Sequence, residues 1–244
     1  MYFSMKELFY SIDPQIFNKF PGYVRGVVLA YGVKNGPSTP DLITLLRSEE
    51  DKLRKRLAIE NLAEYPRIQA WREAFRSLGI KPGEFRSSIE AMARRVLRND
   101  PIPSINALVD IGNIISLRYL IPAGGHSMDG LTQDISLRLS DGSEDFIAFG
   151  SDVLEHPNPG EIIFVEGQVV LTRRWVWRQS QHTLTLPETR SIEMNIDLLP
   201  PASVDELDVI TKDLMSLIAH YCGGYSLAEI LSKDHPKISL ASLS

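Results

Sequence analysis

The chain has almost no thiol chemistry: among 244 residues the only cysteine is Cys222. That excludes an internal disulfide framework and fits a reducing compartment. Cys222 follows the apolar run 214–221 and reads as a buried structural residue rather than a nucleophile. Long apolar stretches are missing too. No segment approaches the ~18–20 uninterrupted apolar residues of a membrane helix. Residues 1–7 show no basic region leading into an apolar run and no cleavage site. The expectation is a soluble, cytoplasmic protein. A glycine-rich phosphate loop, a dinucleotide fingerprint and zinc-finger spacing are all absent, which argues against nucleotide-driven chemistry. His126 and Asp129 lack further ligands at metal spacing, so no metal site is expected.

What is there is an ordinary globular balance, with 43% hydrophobic and 23% charged residues. The net charge of −5 argues against a protein that coats nucleic acid along its whole surface. The distribution is uneven. Between residues 67 and 98 eight basic residues stand against three acids, Glu73, Glu84 and Glu90, a local charge of +5. A second cluster, Arg173, Arg174, Arg178 and Arg190, meets only Glu188. Either the two segments form one polyanion footprint or they are solvated faces of separate elements.

Along the chain, helices come first, strands follow, and one helix closes. Asp13-Pro14 predicts a short helix through Phe20, and the β-branched stretch 24–33 a buried strand. Pro40-Asp41 opens a long helix expected to run towards Glu64, and Pro66 restarts one with Ile68, Trp71, Phe75 and Leu78 on a single face. Ser87-Ser88-Ile89-Glu90 matches a capping box, with Arg94, Arg95 and Arg98 pointing largely away from the buried side. Helical character returns over 105–119. From Leu131 the period changes to two: 135–139 turns at Asp141-Gly142 and is expected to return over 146–149. Further strands are predicted over 162–165, 168–172, 175–178, 183–186 and 192–198. Ser203 then caps a final helix, and residues from about Pro236 read as a loosely ordered tail. Tight turns in place of crossover helices predict an α+β fold, a mainly antiparallel sheet or sandwich core with helices packed outside. Residues 1–235 are expected to form one domain.

The most informative residues are Asn106, Val109-Asp110 and Asn113, followed by a Pro-containing loop ending in Gly124-Gly125-His126-Ser127-Met128-Asp129. In order and spacing this stretch resembles the third and fourth domains of the phenylalanyl-tRNA synthetase β-subunit, the tRNA-binding and editing module. The downstream half, with Gly160-Glu161, residues 175–178 and threonines at 183, 185 and 189, is similar to the free-standing branch of that family. The resemblance covers roughly residues 80 to 200. It implies tRNA or aminoacyl-tRNA as partner, no DNA, no cofactor, and, if the chain is active, ester hydrolysis of mischarged tRNA rather than a complete charging reaction. The Gly-Gly-Glu loop of that editing pocket is not found; Trp175, Trp177 and Arg178 occupy the corresponding region, so reading of a tyrosine hydroxyl is not implied.

With the resemblance in hand, His126 is the candidate catalytic residue: glycines beside it let a ligand approach, and an imidazole can orient or deprotonate water. An idle loop histidine is the alternative. Gly124, Gly125, Asp129, Trp175, Trp177 and Thr183 are candidate substrate contacts. Trp175 and Trp177, two apart, would share one face of a strand, either in the core or as a platform for a base. Arg94, Arg95, Arg98, Arg173, Arg174 and Arg178 are candidate RNA contacts. Asp110 and Asn113 read as supports for the next loop. Three functions compete: a deacylase acting in trans, a non-catalytic RNA-binding module, and a pocket protein for a free amino acid or related metabolite.

Overall fold

A computed structural model describes residues 7–240. Two sheets and a helical layer are stacked. The first sheet runs in the order β12-β1-β4-β7-β8-β9, from β1 (Phe9–Ile12), β4 (Ile135–Leu139), β7 (Ile162–Glu166), β8 (Val169–Arg173), β9 (Arg178–Gln179) and β12 (Lys237–Ser239). The second is β11-β2-β10-β3, from β2 (Val24–Tyr31), β3 (Ala123–Ser127), β10 (Ser191–Leu198) and β11 (Tyr225–Leu231). A small hairpin pairs β5 (Phe146–Ile147) with β6 (Leu154–Glu155). Every ladder between these strands is antiparallel except β1 with β4. The α+β, mainly antiparallel reading of the sequence therefore holds.

The alternation of side chains along the second sheet builds both cores. On one face Val24, Val28, Ala30, Ile192, Met194 and Ile196 pack under the helices. Those are α2 (Pro40–Arg56), α4 (Ser88–Leu97), α5 (Ala107–Tyr119) and α6 (Val204–Tyr221). On the other face Val27 and Leu29 meet Ile135, Leu137 and Phe164 of the first sheet. Helix α1 (Pro14–Lys19) and α3 (Pro66–Ser77) close that second core through Phe17, Trp71 and Phe75. Helix starts follow their caps: Asp13 accepts from the Gln15 amide, and Ser203 with Glu206 completes a capping box.

Several local expectations differ from what forms. The helix from Pro40 ends at Arg56, and residues up to Glu64 make a separate 3₁₀ turn, Ile59–Glu64. Only half of the box at Ser87 is made: Ser87 Oγ accepts from the Glu90 amide, but the Glu90 carboxylate turns to Arg72 and Arg94. β5 does not return onto β4; it pairs with β6, while β4 pairs with β7. Residues 183–186 form no strand, and the tail read from Pro236 begins with β12, which pairs with β1. Residues 241–244 lie outside the described residues, as do residues 1–6.

Candidate functional site

The row of polar residues on β10 is where the site begins. Glu193, Asn195 and Asp197 alternate with Ile192, Met194 and Ile196, so all three point between the sheets. Asp197 pairs with Arg25 of β2: Nε donates to Oδ1 at 2.7 Å, and both side chains are fully enclosed. Tyr23 donates to the same oxygen at 2.5 Å, Arg25 Nη1 donates to Tyr10 at 2.6 Å, and Tyr10 donates to Asn195 at 2.7 Å. Burial raises both phenols well above their usual range, so they stay donors. Asn195 Nδ2 donates to Glu193 Oε1 at 3.1 Å, but Glu193 Oε2 is buried with no partner among the described residues. Burial pushes the Glu193 carboxyl up to about 8, so at neutral pH it is protonated.

His126 lies opposite Glu193 across the β3–β10 ladder. The glycine-rich segment read as a loop is thus a strand, and its histidine is buried. Glycine is needed for the pairing: a Cβ on Gly125 would sit 2.8 Å from Ile192 Cδ1 and 3.2 Å from the Glu193 carbonyl. A Cβ on Gly124 meets nothing within 4 Å, because that side opens into a cavity. The imidazole is held at both nitrogens, Nδ1 2.6 Å from Thr183 Oγ1 and Nε2 3.2 Å from Thr172 Oγ1. Gln179 Nε2, which can only donate, stands 3.4 Å from Nδ1 and donates to Gly125 O at 3.1 Å. Nδ1 is then the acceptor, with the ring proton on Nε2. Burial, the Arg25 charge and His182 lower the His126 pKa to about 3, so the ring is neutral at physiological pH.

These groups border a cavity of about 650 Å³ between the open edge of β3, helix α5 and the 174–179 segment. Its floor holds Arg25, Asp197, Asn195, Phe164 and Trp175, and its mouth Ile105, Phe149 and Leu186. Bonds from β3 to β10 start at Pro122 and end at Met128, both even positions, so the odd-numbered backbone groups of β3 face outward. Ser116 Oγ bonds both groups of Ala123, and Ser127 N donates to Thr183 O. Among the described residues nothing accepts from the Gly125 amide, which points outward from the β3 edge where Gly125 lines the cavity.

The other site residues predicted from sequence fall in three groups. Gly124, Gly125, His126, Trp175, Trp177 and Arg178 line the cavity, while Thr183 reaches it only through His126. Residues 174–177 are not a strand: Arg174 and Trp175 take left-handed backbones with φ of 47° and 65°, and the two tryptophans part company. Trp175 is core, edge-on to Tyr23 and Trp71, and its indole N–H points to Tyr23. Trp177 lies nearer the surface, with the Arg174 guanidinium over its ring and over Phe85. Asp129 does not reach the cavity; its carboxylate accepts from the Arg190 and Ser191 amides, each at 2.7 Å, and ties β3 to β10.

The arginines are scattered in environment. Arg173 is buried in a two-pronged pair with Glu161 at 2.9 Å and bonds Glu155. Arg94 is bound to buried Glu90 and Arg95 to Asp100, whereas Arg98 and Arg178 are exposed. Support for the cavity wall comes from α5: Asn106 Nδ2 donates to Thr185 O at 2.8 Å, and Asp110 accepts from Ser38 and the Ile105 amide.

A B3/4 domain model matches residues 70–217. The chain belongs to the B3/4 domain family. It is thus a module related to the phenylalanyl-tRNA synthetase β-subunit, and the match reaches beyond the 80–200 stretch on both sides. Among solved structures, an N-terminal fragment of that β-subunit from Pyrococcus horikoshii is similar over 96% of this chain, at 9% identity and a TM-score of 0.45. The alignment spans 55% of the fragment. No curated protein matches the chain. Among the described residues of this B3/4 domain no helix is long and apolar enough to cross a membrane.

Sequence reading missed Arg25, Thr172, Gln179 and the β10 acids. Two signals were present: a lone arginine inside an apolar strand, and Glu-x-Asn-x-Asp alternation in the last strand of a buried sheet.

Proposed function

We propose that this B3/4 domain binds tRNA and that its cavity receives the aminoacyl end, releasing a wrongly attached amino acid by hydrolysis. The observation that carries the reading is the wall formed by β3. The outward Gly125 amide and the hydroxyl-held His126 are chain neighbours beside a cavity of about 650 Å³, room enough for a small ligand. An outward amide is suited to a developing oxyanion, and a neutral imidazole fixed between two threonines orients hydroxyls and water around it. With a pKa of about 3 the ring is a poor proton acceptor at pH 7, so His126 acts here as a positioning residue. The same observation favours a second reading, a binding module without catalysis.

One experiment separates them. Purified protein is incubated with a panel of mischarged tRNAs, and amino acid release and tRNA affinity are both followed. Gly124→Val supplies the control, because its added side chain enters open space and blocks the cavity without disturbing the strand. Deacylation is expected in the wild type and its loss in Gly124→Val at unchanged Tm. His126→Ala should slow release by less than the ~10²–10⁴-fold of a lost general base. Cavity-dependent binding without release selects the second reading. Neither binding nor release with any tRNA rejects both.

A further inference from the structure

Three large apolar side chains stand exposed at the mouth of the cavity. Ile105 is 62%, Phe149 64% and Leu186 45% exposed, and they come from three separate segments. Single exposed apolar residues are common, but a ring of them around a cavity marks a contact surface. Phe149 is not on a loose tip: its amide donates to Gln179 O at 3.0 Å, which fixes it against β9 next to Arg178. Arg178 is exposed on the same rim. The other charged residues lining the cavity, Arg25 and Asp197, neutralise each other in the floor, so among the described residues Arg178 is the cation at the mouth without an ion-pair partner. An exposed aromatic on a backbone anchored to the residue after Arg178, whose guanidinium lies 5.9 Å from the Trp177 ring centroid, suits a nucleobase joined to a phosphate.

We propose that the rim formed by Phe149 and Arg178 is a nucleotide clamp, in which the 3′-terminal adenosine of tRNA stacks on Phe149 while Arg178 meets the adjoining phosphate. Ile105 and Leu186 flank the base. The inference rests on the reading of the cavity as an aminoacyl-end site: a stacked terminal base would lower the ester past Gly124 towards His126. Sequence preference follows from stacking alone, so the clamp discriminates little between bases and a good deal between a present and an absent terminal nucleotide.

The test is a thermodynamic cycle with intact uncharged tRNA, the same tRNA trimmed of its terminal adenosine, wild-type protein and Phe149→Ala. Trimming is expected to weaken wild-type binding about 5- to 150-fold, the range of one base–aromatic stack. Phe149→Ala should cause a similar loss on intact tRNA and almost none on trimmed tRNA, and Phe149→Trp should retain affinity. Arg178→Ala should lower the slope of log affinity against log salt by about one. Equal losses on both tRNAs, or none, overturn the clamp, and deacylation that ignores Phe149 overturns the clamp alone. Adenosine 5′-monophosphate, titrated separately, distinguishes the two levels: Phe149-dependent binding of the nucleotide without tRNA binding keeps the clamp and rejects the aminoacyl-end reading. A wild-type dimer that Phe149→Ala dissociates in light scattering would assign the rim to a second copy of the chain and overturn the proposal.

Discussion

Glu193→Gln should make the protein more stable, and by an amount that depends on pH. Burial pushes the native carboxyl up to about 8, against 4.5 for an unperturbed glutamate. Its folded pKa is raised, so its contribution is intact below pH 4.5 and is lost progressively as pH rises towards 8. At pH 7 the unfolded chain has released this proton and the native state has kept it, a gap of about 2.5 pH units. At 1.36 kcal/mol per unit that costs the wild type about 3 kcal/mol relative to a group that never titrates. Glutamine is such a group, and it nearly matches the shape of the protonated acid. Urea unfolding of both proteins at pH 4.5 and pH 7 reads the difference, with the slope m checked for constancy. The His126 titration, opposite in sign, is common to both proteins and cancels in the subtraction. A stability difference equal at the two pH values would show that Glu193 is ionised in the fold, and would refute the account of the β10 polar row.

The arginine clusters separate into members paired with buried acids and members exposed at the surface. Arg94→Glu, facing buried Glu90, should cost about 1–3 kcal/mol by thermal denaturation. The Arg95→Glu, Arg98→Glu double variant should stay within about 0.5 kcal/mol per site. If that face meets phosphates, the same double variant weakens binding of all tRNAs alike and flattens the salt dependence; unchanged affinity excludes it as a footprint. Arg173→Ala strands Glu161, from which the Arg174 amide also hangs at 3.2 Å, and should cost about 3–5 kcal/mol in chemical denaturation.

Helix starts were legible because caps are local. Asp13, Ser87 and Ser203 each satisfy amides two or three residues away, so the sequence around them suffices. The period of two in β4 was equally readable. Strands β1 and β11 were not, since their identity rests on partners far along the chain: β1 on Lys237–Ser239 and β11 on residues 25–31. The 174–177 turn misled for a different reason. Aromatic and β-branched residues favour a strand there, but Arg173 locked to Glu161 and Trp175 driven into the core force two left-handed residues in succession. The Gly-Gly-His segment lines the cavity, but as strand β3 rather than as a loop. Glycine meant close approach of β10 rather than a loop. Arg25 and Phe149 drew no attention because one sits in an apolar strand and the other in the turn after the short strand β5; only the cavity brings them to the same address.

The clasp of the two sheets has a consequence for how the chain must be made. β1 lies between β4 and β12, and β2 between β10 and β11, so each early strand waits for a partner more than 190 residues later. During synthesis residues 7–220 can gather their helices and the β4–β7–β8 meander, but one edge of each sheet stays bare until residues 225–239 leave the ribosome. Such long-range pairing is slow and leaves hydrogen-bonding edges open to other chains. A ribosome stalled near residue 222 would hold a nascent protein whose cavity walls are already encoded but whose two sheets cannot yet be closed. Chaperone dependence and misassembly should therefore concentrate in the interval between synthesis of residue 222 and emergence of residues 225–239.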